Sequence, residues 1–340
     1  MMFRYDLDAV AATIRERGYK RVALELPEGL RDRAADIVDE VSSKTGCEVF
    51  VSCDPCYGAC DINDDALAAL GCEAIFHFGH TRLLARTKVP VHYVEVHIPW
   101  DVADLLGKGE HLLDEKVGLA TTAQHLHRLE EVKKYLEERG HRVYIGKVKG
   151  VLKPGQVLGC SFATARAVKD KVDVYAYIGG GNFHPLGIAL ATGKKTLAFD
   201  PETGTVRDME EIRDRVLRQR FARIAKARGA RKFGVVVGLK KGQRRLGLAL
   251  RLREKLRKRG MKAYLLALRE VVPDNLYPFR KLDALVSTAC PRVAIDDAGR
   301  FPIPILTPEE LDIALGERDW VEYVFDEMPW SASHHQEESR

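Results

Sequence analysis

The hydrophobic positions of the chain follow two spacings that alternate along its length. Leu7, Val10 and Ile14 recur at helical intervals and are followed by Gly18, a residue typical of helix ends. Residues 21–26 then form a short apolar run, which closes on a Pro-Glu-Gly turn that opens a second predicted helix. Further predicted strands in this part of the chain are residues 48–52, 74–78 and 91–96. Strands that alternate with helices predict a parallel α/β unit.

The same order of elements recurs twice more. Helices are predicted over residues 124–140 and near residues 244–260, and an arginine-rich segment from about 207 to 231 predicts a helix between the second and third passes. The predicted strands of these passes are residues 116–121, 142–146, 173–178, 195–199, 233–238, 262–267, 283–288 and 303–306. Three units of about 100 residues each indicate a triplicated α/β domain, in which the repeat is one of pattern.

Length and composition narrow the class of protein. At 340 residues the chain is too long for a single small domain. Hydrophobic residues make up 46% and charged residues 30%, as in soluble globular proteins, and a net charge of +5 is too small to argue for nucleic acid. No apolar run approaches the roughly 18 residues of a membrane span, and the N-terminus lacks the apolar core of a secretion signal. We expect a cytoplasmic protein without a membrane or direct nucleic-acid partner.

Seven cysteines without a secretion signal argue against a disulfide framework, because the cytosol keeps thiols reduced. Cys47 and Cys72 stand in apolar, strand-like contexts and are predicted to be buried. The cysteines left for metal binding or catalysis are Cys53, Cys56, Cys60, Cys160 and Cys290.

Three of these cysteines occupy corresponding places in the repeat. Cys60 and Cys160 fall between the second and third predicted strands of their units, and Cys290 follows the third strand of its own. Functional loops of parallel α/β units lie at the carboxyl ends of strands, so the three thiols can converge if the three sheets face a common axis. Three thiolates are a poor structural zinc site but suit a 4Fe-4S cluster with one iron left open. A cluster held locally by Cys53, Cys56 and Cys60 is the alternative, and it leaves the other two cysteines unexplained.

The predicted architecture is therefore α/β, with three pseudo-repeated parallel-sheet α/β domains arranged around a central cluster site. The predicted domains are residues 1–108 with Cys60, residues 109–206 with Cys160 and residues 207–328 with Cys290, followed by a flexible tail at residues 329–340.

Six short motifs in order along the chain carry a family resemblance. They are YGACD (57–61), TTAQH (121–125), GQVLGC (155–160), FHPLG (183–187), KKGQ (240–243) and ACPR (289–292). Together, over about residues 20–325, the chain resembles the archaeal diphthamide-synthesis enzymes, the 3-amino-3-carboxypropyltransferases of the first step.

The resemblance implies an unconventional radical enzyme in which Cys60, Cys160 and Cys290 hold a 4Fe-4S cluster that meets S-adenosylmethionine. It implies transfer of the 3-amino-3-carboxypropyl group to C2 of a histidine imidazole on translation elongation factor 2, with release of methylthioadenosine. A homodimer and an electron donor are implied partners. Cys53 and Cys56 depart from the core motif of the family and stay unassigned.

Several neighbours of the cysteines could contact S-adenosylmethionine. Arg292 is placed to pair with its carboxylate, because guanidinium forks match carboxylates; a surface ion pair is the alternative. Lys241 and Gln243 follow the first strand of the third unit and could hold the carboxylate or the ribose, or could simply form a turn. Gly181, in a run of three glycines, lets backbone approach a ligand, and His184 lies in the same loop; a tight turn and a structural histidine are their alternatives.

Two further places carry weaker candidates. Gln124 and His125 open a predicted helix at a carboxyl edge, where free amide groups favour an anion, although capping also explains them. Glu28 could bind the ammonium group of the ligand or the helix dipole.

Two other functions remain open from the sequence. A quinolinate synthase-like enzyme has a similar pattern of three pseudo-symmetric α/β domains and a three-cysteine cluster. A non-catalytic metal-binding module that docks on the translation machinery could instead use the loop from Cys53 to Cys60 as part of a zinc site.

Overall fold

The structure, a computed structural model, describes residues 3–330, which form three sheets in chain order. The first sheet has the strand order β2-β1-β3-β4, and its strands are all parallel. Its strands are β1 (Arg21–Glu25), β2 (Glu48–Val51), β3 (Ala74–Phe78) and β4 (Val91–Val94), and the helices of this unit are α1 (Leu7–Arg17), α2 (Ala34–Thr45) and α3 (Asp64–Ala69), with a 3-10 helix at Glu28–Arg33.

The second sheet repeats this order and adds one strand, giving β6-β5-β7-β8-β9. Its strands are β5 (Lys116–Thr121), β6 (Arg142–Ile145), β7 (Val174–Ile178), β8 (Lys195–Asp200) and β9 (Thr205–Asp208). Its α-helices are α4 (Val102–Gly107), α5 (Leu129–Glu137), α6 (Ala163–Arg166) and α7 (Phe183–Thr192), and its 3-10 helices are Glu110–Leu112, Ala123–Arg128 and Lys169–Lys171.

The third sheet has the order β11-β10-β12-β13, again all parallel. Its strands are β10 (Lys232–Gly238), β11 (Lys262–Leu268), β12 (Ala284–Ser287) and β13 (Ile305–Leu306). Its α-helices are α8 (Glu210–Ala227), α9 (Leu246–Lys258), α10 (Pro273–Leu276), α11 (Pro291–Ile295) and α12 (Pro308–Ala314), and its 3-10 helices are Lys241–Gln243, Ala298–Arg300 and Trp320–Glu322.

The repeated strand order confirms three α/β units with predominantly parallel sheets. Every position of β3, β7 and β12 is buried, as expected for parallel strands covered by helices on both faces. The direction in which successive strands are added reverses between β1 and β3, between β5 and β7 and between β10 and β12. Such a switch point is where a crevice opens at the carboxyl edge of a parallel sheet. Among the described residues, no helix is both long and apolar enough to cross a membrane.

One part of the pattern differs from the prediction. The arginine-rich segment from about 207 to 231 is not one helix, because its first residues belong to β9, which pairs antiparallel with β8 before α8 begins. Leu197 and Phe199 of β8 pair with Asp208 and Val206 of β9, so β9 forms this edge of the second sheet. The predicted boundary between residues 206 and 207 falls inside this strand, and the division into domains stays a prediction.

A buried ion pair fixes the connection between the second and third units. Arg220 of α8 is 1% exposed, and its Nη2 lies 2.5 Å from a carboxylate oxygen of Glu310, which is fully buried on α12. The same guanidinium donates to the carbonyl oxygens of Ala294 and Ile305. Three elements of the third unit are thereby tied to the helix that enters it.

We predict that Arg220→Met lowers the free energy of unfolding by roughly 3–5 kcal/mol, because it leaves the Glu310 carboxylate buried without its partner. Urea unfolding followed by circular dichroism measures the change. Arg215→Ala, which breaks an exposed pair with Glu211 on the same helix, is the control and is expected to cost less than about 1 kcal/mol. Equal midpoints for the two variants would contradict the role of the buried pair.

Candidate functional site

Three loops, one from each unit, carry half-buried thiols that influence one another's pKa. Cys60 lies in the loop between β2 and β3, Cys160 lies between β6 and β7, and Cys290 immediately precedes α11. Burial raises the pKa of the Cys160 thiol well above its usual range, and the charges of Cys290 and Cys60 raise it further. The three thiols are therefore close enough to interact electrostatically, which the equivalent loop positions in the repeat predicted.

The third unit packs directly against Cys60. The backbone N–H of Gly242 donates to the Cys60 carbonyl oxygen at 2.9 Å, and a Cβ atom at Gly242 would lie 2.5 Å from the Cys60 Cα. Only a residue without a side chain allows this approach of the two backbones. Gln243 Nε2 lies 3.5 Å from Cys60 Sγ, so this predicted ligand contact is made to the thiol itself.

Ion pairs hold the Cys60 loop on the third unit. Lys240 Nζ lies 2.7 Å from a carboxylate oxygen of Asp61 and 2.8 Å from Glu270, and it also lies 4.1 Å from the centre of the Tyr57 ring. Both Lys240 and Asp61 are buried. These residues were not predicted as site residues, although Tyr57 and Asp61 belong to the same motif as Cys60 and Lys240 begins the KKGQ motif.

The chain segment after the third unit reaches Cys160. Trp330 Nε1 lies 3.3 Å from Cys160 Sγ, and the Met328 N–H donates to the Cys160 carbonyl oxygen at 2.8 Å. Glu327 accepts a hydrogen bond from the Phe162 N–H at 2.6 Å. Trp330 was predicted to belong to the flexible tail, so its contact with Cys160 was not expected. Residues 331–340 of that tail lie outside the described residues.

The thiols fit a three-thiolate cluster. Burial raises the pKa of Cys60 to about 12 and also raises the pKa of Cys290, which the Arg292 and Arg245 guanidinium groups oppose. Neutral thiols must lose protons when they bind iron, and side-chain N–H groups then stabilise the thiolates that form. Gln243 and Trp330 supply such donors to two of the three sulfurs.

Arg292 lies between the second and third units beside the thiols. Its guanidinium carbon lies 3.6 Å from the centre of the Phe183 ring, and its Nε lies 2.6 Å from Asp296. The side chain is 5% exposed, and its Nη1 has no hydrogen-bond partner among the described residues. An unpaired guanidinium nitrogen in a buried position is available to an anion.

The glycine loop after β7 leads directly into α7, and His184 is the second residue of that helix, not part of the loop as predicted. The His184 ring is stacked on Tyr177 with 5.9 Å between ring centres, and burial lowers the pKa of His184 to about 3, with Arg292 lowering it further. Gly181 has a φ of 70°, in the left-handed region that favours glycine, and its N–H lies 3.4 Å from an Asp200 carboxylate oxygen.

His125 is also buried, at the start of the 3-10 helix after β5. It is 2% exposed, it packs edge-on against Trp100, and burial lowers its pKa to about 4. Its Nδ1 has no hydrogen-bond partner among the described side chains and backbone groups. Neighbouring Gln124 instead donates from Nε2 to the Gly79 carbonyl oxygen at 2.7 Å, which joins the second unit to the first.

Two further predicted ligand contacts, Lys241 and Glu28, also have protein partners in the structure. Lys241 Nζ lies 2.7 Å from the buried Asp64 and 2.9 Å from Asp65, a second tie between the first and third units. Glu28 has an exposed carboxylate that lies 3.4 Å from Arg31. Their assignment as ligand contacts stays a prediction.

The remaining cysteines divide into two kinds. Cys47 and Cys72 are buried in the first unit, as predicted. Cys53 is exposed and Cys56 is half-buried.

Comparisons with known proteins identify similar chains. A family model described as "Putative diphthamide synthesis protein" matches residues 26–324. The chain is 39% identical to the 2-(3-amino-3-carboxypropyl)histidine synthase of Pyrococcus horikoshii over 96% of this chain and 94% of the relative. It is 30% identical to subunit 1 of the Homo sapiens enzyme of that name, over 98% of this chain and 78% of the relative. The crystal structure of Dph2 from Pyrococcus horikoshii with a 4Fe-4S cluster aligns with a TM-score of 0.88 and 38% identity, covering 96% of this chain and 95% of that one.

We predict that Gly242→Ala lowers the iron and sulfide content of anaerobically purified protein, because the added methyl group forces the Cys60 backbone away at a cost of about 1–3 kcal/mol. Gly229→Ala is the control, since a Cβ atom there would meet nothing within 4 Å. Full loading of the Gly242 variant would show that the close approach at Cys60 is not required.

Proposed function

The chain belongs to the diphthamide synthesis protein family, and on this premise we propose that it is a 2-(3-amino-3-carboxypropyl)histidine synthase. It transfers the 3-amino-3-carboxypropyl group of S-adenosylmethionine to C2 of a histidine imidazole on translation elongation factor 2. The observation that carries the proposal is the meeting of Cys60, Cys160 and Cys290 from three repeated units in a chain 39% identical to an enzyme of that name.

The three cysteines would hold a 4Fe-4S cluster. When bound, such a cluster supplies an electron that cleaves the bond between the sulfonium sulfur and the γ-carbon of S-adenosylmethionine, which releases methylthioadenosine. Gln243 and Trp330 donate N–H groups toward Cys60 and Cys160, so they stabilise negative charge on these sulfurs. Three protein ligands leave one position for the co-substrate.

Arg292 is the residue best placed to bind the carboxylate of S-adenosylmethionine. Its free Nη1 can donate to a carboxylate oxygen while Asp296 and the Phe183 ring hold the rest of the guanidinium. His184 stays neutral at pH 7 because burial lowers its pKa to about 3, so it adds no positive charge near a sulfonium. The other proposed contacts are Gln124, His125, Gly181, Lys241 and Glu28.

The partners follow from the proposed reaction. The protein substrate must present one histidine to the partly exposed thiol site, and a reductant must deliver electrons to it. We place this reaction in the cytoplasm, with the chain acting as a homodimer, on the support of family membership. The family match also favours this reaction over a quinolinate synthase-like activity and over a non-catalytic zinc module, because the matched family is described by diphthamide synthesis.

We predict that protein purified anaerobically and reduced with dithionite converts S-adenosylmethionine to methylthioadenosine, measured by liquid chromatography. Alanine at Cys60, Cys160 or Cys290 should abolish product formation and reduce bound iron and sulfide, because each thiolate is one of three ligands. Cys47→Ala removes a buried thiol from the core of the first unit and should leave product formation and the iron and sulfide content unchanged.

Two outcomes of that experiment would contradict the proposal. Formation of 5′-deoxyadenosine in place of methylthioadenosine would show that a different bond is cleaved. Normal iron content in the Cys160 or Cys290 variant would show that the cluster is held without convergence of the three units.

We predict that Arg292→Lys weakens S-adenosylmethionine binding roughly 10- to 100-fold, because a hydrogen bond to a charged group contributes about 1.5–3 kcal/mol. Calorimetric titration of the cluster-loaded protein measures the dissociation constant, and an unchanged iron content shows that the site is intact. Arg300→Lys, at an exposed pair with Asp297, should bind as wild type does. Equal affinity of the two variants for S-adenosylmethionine would show that Arg292 does not bind it.

A further inference from the structure

A second group of metal-ligating side chains lies in the first unit. Cys56 is in the loop between β2 and β3, His77 is in β3, and His80 follows that strand by two residues. One ligand atom from each lies within 4.8 Å of the other two. The three residues come from two segments of the chain. Neither His77 nor His80 was predicted as a site residue from the sequence.

A buried carboxylate fixes the orientation of the first histidine. Glu25, at the end of β1, lies with Oε2 2.8 Å from His77 Nδ1, and its other oxygen accepts from the Asn63 N–H at 2.8 Å. Glu25 is 2% exposed and His77 is fully buried. A carboxylate accepts hydrogen bonds, so His77 donates from Nδ1 to Glu25, which leaves Nε2 to face a metal. Histidines that bind metals are commonly held by a carboxylate in this way.

The other ring nitrogen of His77 faces His80. With Nδ1 donating to Glu25, His77 Nε2 accepts a hydrogen bond from His80 Nδ1 at 2.9 Å, and Cys56 Sγ lies within 4.8 Å of one ring nitrogen of each histidine. A metal ion would take the place of the proton between the two rings. In a tetrahedral zinc site with bonds of about 2.0–2.1 Å to nitrogen and 2.3 Å to sulfur, two nitrogens are about 3.3 Å apart and nitrogen and sulfur about 3.6 Å apart. The two nitrogens are closer than this by about 0.4 Å and the sulfur lies within 4.8 Å of a nitrogen of each ring, so small side-chain rotations would give zinc geometry.

We propose that Cys56, His77 and His80 bind a zinc ion, with Glu25 positioning His77. One thiolate and two imidazoles are a ligand set that zinc favours, whereas calcium and magnesium take oxygen ligands. Three protein ligands leave the fourth position for water or for an oxygen of a ligand. The zinc site does not rest on the proposed function, because all three ligands and Glu25 belong to the first unit.

The site is a neighbour of the three-thiol centre and is distinct from it. A Cβ atom at Gly58 would lie 3.9 Å from Cys60 Sγ and 4.0 Å from His80 Cδ2, so this glycine lies next to both groups, whose proposed ligands are different residues. Cys56 therefore serves the zinc ion while Cys60 serves the cluster. A zinc ion here would tie the loop that carries Cys60 to β3.

The test is the zinc and iron content of the full chain, purified anaerobically with its cluster, incubated with zinc sulfate and desalted. Mass spectrometry of the metals should find about one zinc per chain in addition to the iron. Cys56→Ala and His80→Ala should each lose the zinc and keep iron and sulfide. Cys53→Ala, which removes the exposed thiol three residues earlier, is the matched control and should keep both.

Cobalt provides a second readout, and its first part, the spectrum of the wild-type protein, does not depend on the folding of a variant. Replacement of zinc by Co²⁺ should give visible absorption of a tetrahedral ion with a sulfur-to-cobalt charge-transfer band, and this band should be absent from Cys56→Ala. Wild-type protein that retains neither metal would overturn the proposal. So would zinc that is retained by Cys56→Ala or is lost only when Cys60 is replaced, because the ion would then occupy the cluster thiols.

Discussion

Three thiols can share one cluster only if three separate sheets are held against one another at the loops that carry them. Each sheet delivers its cysteine at the carboxyl edge, but no single unit encloses the site. The contacts at this meeting point are accordingly made by backbone and buried charge. Gly242 hydrogen-bonds the Cys60 backbone, Met328 hydrogen-bonds the Cys160 backbone, and Arg292 stacks on Phe183. The site is therefore a property of the packed molecule.

The same contacts prepare the site for negative charge. Burial raises the pKa of these thiols, so they release their protons to solvent when a metal cation binds the sulfurs, and the N–H groups of Gln243 and Trp330 then face the resulting thiolates. Arg292 adds a buried positive charge whose Nη1 is free among the described residues. Residues that close the gap between units thus also provide N–H groups and positive charge for the proposed cluster and for the carboxylate of the proposed co-substrate.

The sequence predicted the features that depend on local pattern. Strand spacing and the carboxyl-edge rule predicted that Cys60, Cys160 and Cys290 lie in loops beyond the strands of their units, where the structure has them, because this follows from the order of elements within each unit. Their role as cluster ligands stays a prediction. The antiparallel strand β9 was not predicted. Its pairing depends on the free edge of β8, and the arginine-rich sequence itself has no strand pattern. Trp330 was assigned to a tail because its contact with Cys160 spans 170 residues. His77 gave one signal that went unused, a histidine in the middle of an apolar strand.

The measurement that tests convergence most directly is an anaerobic crystal structure of the cluster-loaded protein with anomalous data at the iron edge. We expect the iron peak to lie among the sulfurs of Cys60, Cys160 and Cys290, with one iron not bound by a cysteine. An iron peak held by Cys53, Cys56 and Cys60, with Cys160 and Cys290 free, would contradict the three-unit site.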